Sequence, residues 1–370
     1  GGGPGGLTAA FYLALMGYKC TIFEELPKLG GMLRYGIPAF RLPREVIDDE
    51  IDFILHLGVE ARTGVRVGKE ISFEQLQEEY DAVFVAVGAH RSLSLRIEGE
   101  DLPGVLKGAE FLRQVELGQA PEVGKKVAVI GGGNVAIDVA RTAKRLGTEE
   151  VTILYRRERK DMPAYEEEIE EALEEGIELK VLVAPKAIRQ ENGRFLLDMA
   201  ECELGEFDES GRRRPIPKEG SLITEPYDTI FSAIGQAPDL TFGDGLKVDR
   251  GTIVVERRTF ATNLPGVFAG GDAVTGPARI VDAMAAGKRA SREIDRYLAQ
   301  LRGGAPTELV FPEVNVTQAV PEEIIKQPRA RMPMVDPKER VKNFVEIELG
   351  YDEETARKEC SRCLRCDVKL

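Results

Sequence analysis

Histidine and cysteine are scarce in this 370-residue sequence, which holds two His and five Cys. His56 falls inside the amphipathic run Val46–Leu57 and His90 follows a glycine turn, so neither is expected to act as a catalytic acid or base. Cys20 and Cys202 stand alone with no cysteine between them and none within several residues of either, so neither belongs to a C-x-x-C or C-x₄-C redox pair. Positive charge is also in deficit: Lys and Arg total 50 against 63 Asp and Glu, a net charge of −13. That balance argues against nucleic acid as the main partner, because phosphate binding needs clustered cations. No apolar run reaches the ~18 residues of a membrane span and no secretory leader opens the chain, so a cytoplasmic location and no membrane insertion are the default expectations.

Length and composition describe a globular protein of about two domains, with 43% hydrophobic and 31% charged residues. Short β-branched runs at Lys19–Phe23, Ala82–Val87, Lys126–Ile130, Val151–Tyr155, Leu179–Val183, Thr229–Ala233, Thr252–Val255 and Val267–Ala269 alternate with amphipathic helical stretches. The alternation predicts an α/β fold with parallel sheets and crossover helices. Two segments, starting at Gly1 and Lys126, share one layout of glycine turn, helix, strand and charged residue. We therefore expect two Rossmann-like dinucleotide-binding domains, one (105–257) inserted into the other (1–104 and 258–300). Residues 301–370 would form a linker and a small helical tail, with Asp352 capping a helix over Glu353–Glu359. A glycine loop at the very start and a cysteine cluster near the end suggest a fragment of a longer chain.

Gly1-Gly2-Gly3-Pro4-Gly5-Gly6 satisfies G-x-G-x-x-G through Gly1, Gly3 and Gly6, and a helix over Leu7–Met16 follows. Such glycines bring a pyrophosphate against a helix N-terminus, whose amides and dipole favour anions. Glu24, at the end of the next strand, is placed to accept from both ribose hydroxyls of an adenosine. The second fingerprint, Gly131-Gly132-Gly133-Asn134-Val135-Ala136, ends in alanine and is followed by a strand that runs into Arg156-Arg157-Glu158-Arg159-Lys160. Arginine at that position grips a 2′-phosphate, so Arg156 and Arg157 point to NADP(H) over NAD(H). A third element, Val267–Ala273, is a strand entering a glycine turn, where Gly271 allows close approach and Asp272 can accept from a ribityl hydroxyl. The helix predicted over Ala278–Leu298 would face a flavin with its positive end.

These residues resemble the two-dinucleotide flavoprotein family, and most of all the small (β) subunit of NADPH-dependent glutamate synthase. Its relatives include the NADPH-binding subunit of electron-bifurcating transhydrogenase and subunits attached to formate dehydrogenases and hydrogenases. The resemblance covers about residues 1–300 and rests on Gly1–Gly6 with Glu24, Gly30–Pro38, Ala86–Ala89, the second fingerprint, Ala233–Asp239 and Ala269–Ala273. It implies FAD in the first unit, NADP(H) in the second and hydride transfer between nicotinamide and flavin. It also implies that Gly30, Gly31, Met32 and Leu33 lie beside the flavin, and that Tyr35, Gly36, Ile37 and Pro38 line the approach. Ala86 and Gly88 belong to the same cofactor wall, while Ala233, Gly235 and Pro238 mark the crossing between domains. Electrons would pass through iron–sulfur centres to other subunits of a redox complex or to ferredoxin. The alternative is a non-catalytic scaffold descended from a flavoprotein.

Cys360, Cys363 and Cys366 form C-x₂-C-x₂-C, which supplies three thiolates for a [4Fe–4S] cluster but lacks the usual distant fourth. Three readings stay open here: a cluster completed from elsewhere, a partial zinc site and a metal-free tail. The remaining charge runs look bland. Glu166–Glu175 carries Ile169, Ala172 and Leu173 at helical spacing and reads as a solvated face, and Arg212–Arg214 reads as a surface turn.

Overall fold

Val127, Ala128 and Val129 are fully buried, and the strand that contains them, Lys126–Ile130, is central to a five-stranded sheet. Across that sheet the order is Val105–Lys107, Thr229–Ser232, Lys126–Ile130, Glu150–Tyr155 and Glu178–Val181. Every pairing in it is parallel, for instance Val127 with Val151 and Ile230 with Ala128. Strands buried on both faces give continuous apolar runs instead of alternation, which is why Lys126–Ile130, Glu150–Tyr155 and Thr229–Ser232 were legible in sequence, whereas the short edge strand Val105–Lys107 was not expected. The computed structural model describes residues 1–208, 211–307, 309 and 328–362.

The rest of the α/β core comes from two parallel pairs that are far apart in sequence. Thr21–Glu24 pairs with Glu60–Thr63, and Val83–Val85 pairs with Val267–Ala269. The chain thus leaves the first layer before residue 105 and returns to it at residue 267. Helix Pro4–Leu15 packs on helix Ile280–Leu301, where the backbones come so close that a Cβ on Gly287 would stand 2.3 Å from the Gly5 carbonyl oxygen. Two short antiparallel strands, Arg91–Ser92 and Gln236–Ala237, connect the layers.

A three-stranded antiparallel sheet of Val183–Glu191, Arg194–Phe207 and Arg213–Tyr227 packs on the five-stranded layer, Ile188, Leu197 and Tyr227 sharing a core with Ala128, Leu154 and Ile230. Its length exceeds what the sequence suggested, because its polar alternation looks like loop.

The helix Glu166–Glu174 departs from expectation. Ile169 and Ala172 are buried as predicted, yet so are Glu168 and Glu175. Glu175 receives Arg141 and Arg145 at 2.7 Å and Arg340, from the C-terminal segment, at 2.8 Å. Arg145 stacks 3.7 Å over the ring of the fully buried Phe40. The Phe40 carbonyl accepts from the Ile347 amide at 3.1 Å. Next to it, Arg41 grips both oxygens of Asp138 at 2.7 Å and also binds Glu168. Residues 40–41, helix Asn134–Arg145 and the segment 340–347 are therefore joined by buried ion pairs. In the tail, the helix Glu353–Ser361 carries the expected cap, Asp352 accepting from the Thr355 amide.

Candidate functional site

Thirteen of the expected cofactor residues line a single cleft of about 1310 Å³, counted to its open mouth. They are Gly1, Gly3, Pro4, Glu24, Gly31, Met32, Leu33, Ile37, Ala86, Gly88, Gly271, Asp272 and Ala278. Its wall brings together the Gly1–Gly6 turn, Glu24 and the Gly271-Asp272 turn, a lining that suits an extended dinucleotide. Gly6 does not line the cleft but packs beneath it, where a Cβ would stand 2.0 Å from the Gly1 carbonyl oxygen. Gly31 has φ +53°, and a Cβ there would approach the Gly3 Cα to 2.7 Å, so only glycine fits the crossing. Gly30 supports the same crossing by donating its amide to the Gly2 carbonyl at 2.8 Å.

Glu24, nearly buried, accepts from the amides of Gly2 at 2.7 Å and Leu26 at 2.9 Å. Its carboxylate is thereby fixed at the cleft wall, with lone pairs left for ribose hydroxyls. Asp272 accepts from the Ala278 amide at 3.2 Å, and burial pushes its carboxyl up to about 6. Helix Pro4–Leu15 has no side-chain cap, which leaves its first amides open to an anion. Gly36 and Pro38, together with Ile37, line a neighbouring cavity formed with Leu112, Thr142 and Phe344.

At the second fingerprint, Gly131 meets the Ala233 carbonyl so closely that a Cβ would lie 2.2 Å from its oxygen. Ala136 is fully buried and Val135 packs on the same core. Gly133 precedes helix Asn134–Arg145, which again has no side-chain cap, and the Asn134 Oδ1 accepts from the Tyr165 amide at 3.1 Å. Gly235 accepts from the Leu93 amide at 3.0 Å where the chain crosses between layers. The expected arginine pair is split. Arg156 is exposed and makes no hydrogen bond or ion pair among the described residues. Arg157, however, is buried, donating to Asp208 at 2.6 Å and to the Arg213 carbonyl at 2.7 Å. Two of the Arg157 guanidinium nitrogens, Nε and Nη2, thus donate within the protein, unlike those of Arg156. Arg159 is likewise engaged by Glu166 and Glu170.

Of the expected metal ligands, Cys360 is exposed and free, while Cys363 and Cys366 lie outside the described residues. No group of three metal-ligating side chains occurs among the described residues. His56 is exposed at the end of its helix and does not line the cleft.

Sequence reasoning missed several cleft residues, among them Arg66, Arg113 and Phe242, and gave His90 no more than a loop role. Arg66 joins Glu25 at 2.8 Å and Asp239 at 2.9 Å. Burial, and after it the Arg113 charge, holds the His90 imidazole down to about 4, so it is neutral at pH 7. No motif announces these side chains, since only the folded chain brings residues 66, 90, 113 and 239 together.

Comparison with known proteins fits this geometry. A family model described as pyridine nucleotide-disulphide oxidoreductase matches residues 1–287. The NADP(+)-dependent formate dehydrogenase subunit beta of Moorella thermoacetica is 46% identical over 99% of this chain and 54% of its own length. The NADPH-Fe(3+) oxidoreductase subunit beta of Geobacter sulfurreducens is 40% identical over 99% of this chain and 60% of its own. The glutamate synthase [NADPH] small chain of Escherichia coli is 36% identical over 80% and 67% respectively. The chain thus spans little more than half the length of the first two relatives. Mycobacterium tuberculosis FprA in complex with NADPH shares the fold at TM-score 0.72 and 21% identity, over 84% of this chain and 86% of that one.

Proposed function

Because this chain belongs to the pyridine nucleotide-disulphide oxidoreductase family, we propose that it is an NADPH:FAD oxidoreductase module delivering electrons to a partner subunit. One observation carries the reading. Two glycine turns, each leading into an uncapped helix, stand on one chain, and the strands beyond them end in opposite charge: Glu24 in one case, Arg156 in the other. A carboxylate suits free ribose hydroxyls, and an unengaged arginine suits a 2′-phosphate. In this reading residues 1–104 and 258–300 hold FAD, while 105–257 hold NADP(H).

The first cleft fits FAD, since its turn is closed to any Cβ and its wall joins that turn to Glu24 and Asp272. When bound, FAD supplies a two-electron acceptor that can release electrons singly. The chain's own work is positional. Gly1, Gly3 and Gly31 admit the pyrophosphate, Glu24 holds the ribose, and Met32, Leu33 and Ile37 offer an apolar wall that excludes water. On the nucleotide side, Gly131 and Gly133 open the helix amides and Arg156 selects the phosphate. Such transfer needs stacking and a dry pocket more than a proton donor, in keeping with a neutral His90.

Among the described residues Cys20, Cys202 and Cys360 are free thiols and none of them lines the cleft, which argues against disulfide chemistry there. Cys360, Cys363 and Cys366 would supply three thiolates to an iron–sulfur centre completed by a partner, and such a centre would offer a one-electron carrier beyond the flavin. Names ending in subunit beta or small chain among the relatives support assembly into a larger complex. The scaffold alternative is disfavoured, because both nucleotide cradles keep every glycine they need. No helix among the described residues is long and apolar enough to cross a membrane.

Anaerobic addition of NADPH to the FAD-loaded protein tests the reading. Bleaching of the flavin absorbance is expected, and a chain that takes up no FAD, or whose flavin stays oxidised, would refute it.

A further inference from the structure

The cleft that we assign to FAD presents three arginines and no lysine: Arg66, Arg113 and Arg279. Two of them are neutralised by carboxylates, Arg66 by Glu25 and Asp239, and Arg279 by Asp282 at 2.9 Å. Arg113 has no ion-pair partner among the described residues. Its Nη2 lies 3.4 Å from the His90 carbonyl and from the His90 Nδ1, and its Nε is buried with no hydrogen-bond partner. Meanwhile Glu24 and Asp272 remain as carboxylates on the cleft wall without an arginine or lysine partner among the described residues. A pyrophosphate entering such a cleft meets negative charge, against which the wall sets one uncommitted cation.

Placement agrees with this charge count. Arg113 stands on helix Gly108–Glu116, which packs on the short helix Met32–Tyr35 that directly follows Gly31. Gly31 in turn abuts Gly3 in the phosphate turn. From the other side, Gly1 abuts the backbone of Ala86 and Val87, two residues before Gly88, whose Cβ position lies 3.3 Å from the His90 ring. Both routes from Arg113 lead to the Gly1–Gly6 turn.

We infer that Arg113 is the counter-charge for the pyrophosphate of the dinucleotide seated at the first glycine turn, held in reserve by His90 until the ligand arrives. The inference rests on the FAD reading of that cleft and adds to it a binding residue contributed by the segment after residue 105. A guanidinium fits the task because its planar donors can serve the His90 carbonyl and a phosphate oxygen together.

The test uses the full chain stripped of nucleotide, with FAD, ADP and adenosine as probes. Arg113→Gln is expected to raise the Kd for FAD and for ADP by about 10- to 100-fold, the range for a charge-assisted hydrogen bond. Adenosine, which lacks the phosphates, should bind wild type and variant alike. Arg113→Lys should recover most of the loss and guards against a folding defect. The proposal is overturned if Arg113→Gln binds FAD and ADP as wild type does, or if adenosine weakens in parallel. Failure of the wild type to bind FAD at all would instead sink the reading on which it rests.

Discussion

Arg156 and Arg157 are neighbours in sequence with opposite fates in the fold, and substituting each separately tests the nucleotide assignment. Arg156 is exposed and uncommitted among the described residues, so Arg156→Ala removes nothing that the fold uses. A charge-assisted contact to a 2′-phosphate contributes ~1.5–3 kcal/mol, which is roughly 10- to 150-fold in kcat/KM for NADPH. NADH has no such phosphate and should be turned over unchanged, with the unfolding midpoint also unchanged. Arg157→Ala is a different perturbation. It removes a buried guanidinium together with its hydrogen bonds to Asp208 and the Arg213 carbonyl, and should cost ~1–3 kcal/mol of stability. Its effect on the NADPH to NADH ratio should be small. Steady-state kinetics with both nucleotides, combined with urea unfolding of all three proteins, reads both outcomes. Equal losses for NADPH and NADH in Arg156→Ala, or a nucleotide switch in Arg157→Ala at unchanged stability, would refute the reasoning.

Other expectations follow from the buried charges and the glycine crossing. Burial alone would raise the Glu175 carboxyl, but the Arg145 and Arg141 hydrogen bonds outweigh it and hold it down to about 2, from 4.5. That displacement amounts to on the order of 3 kcal/mol, present above pH ~4.5 and lost as pH falls toward 2. Glu175→Gln should therefore destabilise by ~3–5 kcal/mol at pH 7 in urea unfolding, as expected when buried cations lose their counter-ion, and a cost under 1 kcal/mol would count against the ion cluster. Glu168 behaves oppositely: burial pushes it up to about 7 despite Arg41, and its Oε2 is buried without a partner. Its ionisation thus destabilises the fold as pH rises from 4.5 through 7. The stability of wild type minus that of Glu168→Gln should fall across that interval, and a flat difference would contradict the assignment. Gly31→Ala should abolish bound flavin while leaving the far-UV circular dichroism intact, because the new Cβ blocks the Gly3 crossing; full flavin content would show that the crossing is not the cradle.

Much of the fold was written in local pattern. The strands Lys126–Ile130 and Val267–Ala269 coincide with their predicted runs, because strands buried on both faces must be apolar throughout. The cap at Asp352 was equally readable, since capping depends on one side chain and the amide three residues on. The antiparallel strands Arg194–Phe207 and Arg213–Tyr227 were missed in extent, because exposed faces tolerate the Pro and charged residues that mimic loop.

By itself, the sequence determined where backbone must be bare and where strands must be buried: the glycines of both turns, Glu24 at a strand end, and the order of elements between them. Those features depend on neighbours within a few residues. Tertiary structure alone decided which charges were already used. Arg157 is taken by Asp208, 51 residues away, and Glu175 by Arg340, 165 residues away, while Arg113 is left uncommitted in the cleft. A charge acquires its role from whichever opposite charge lies within a few ångströms of it, and that distance is set by the fold and not by separation along the chain.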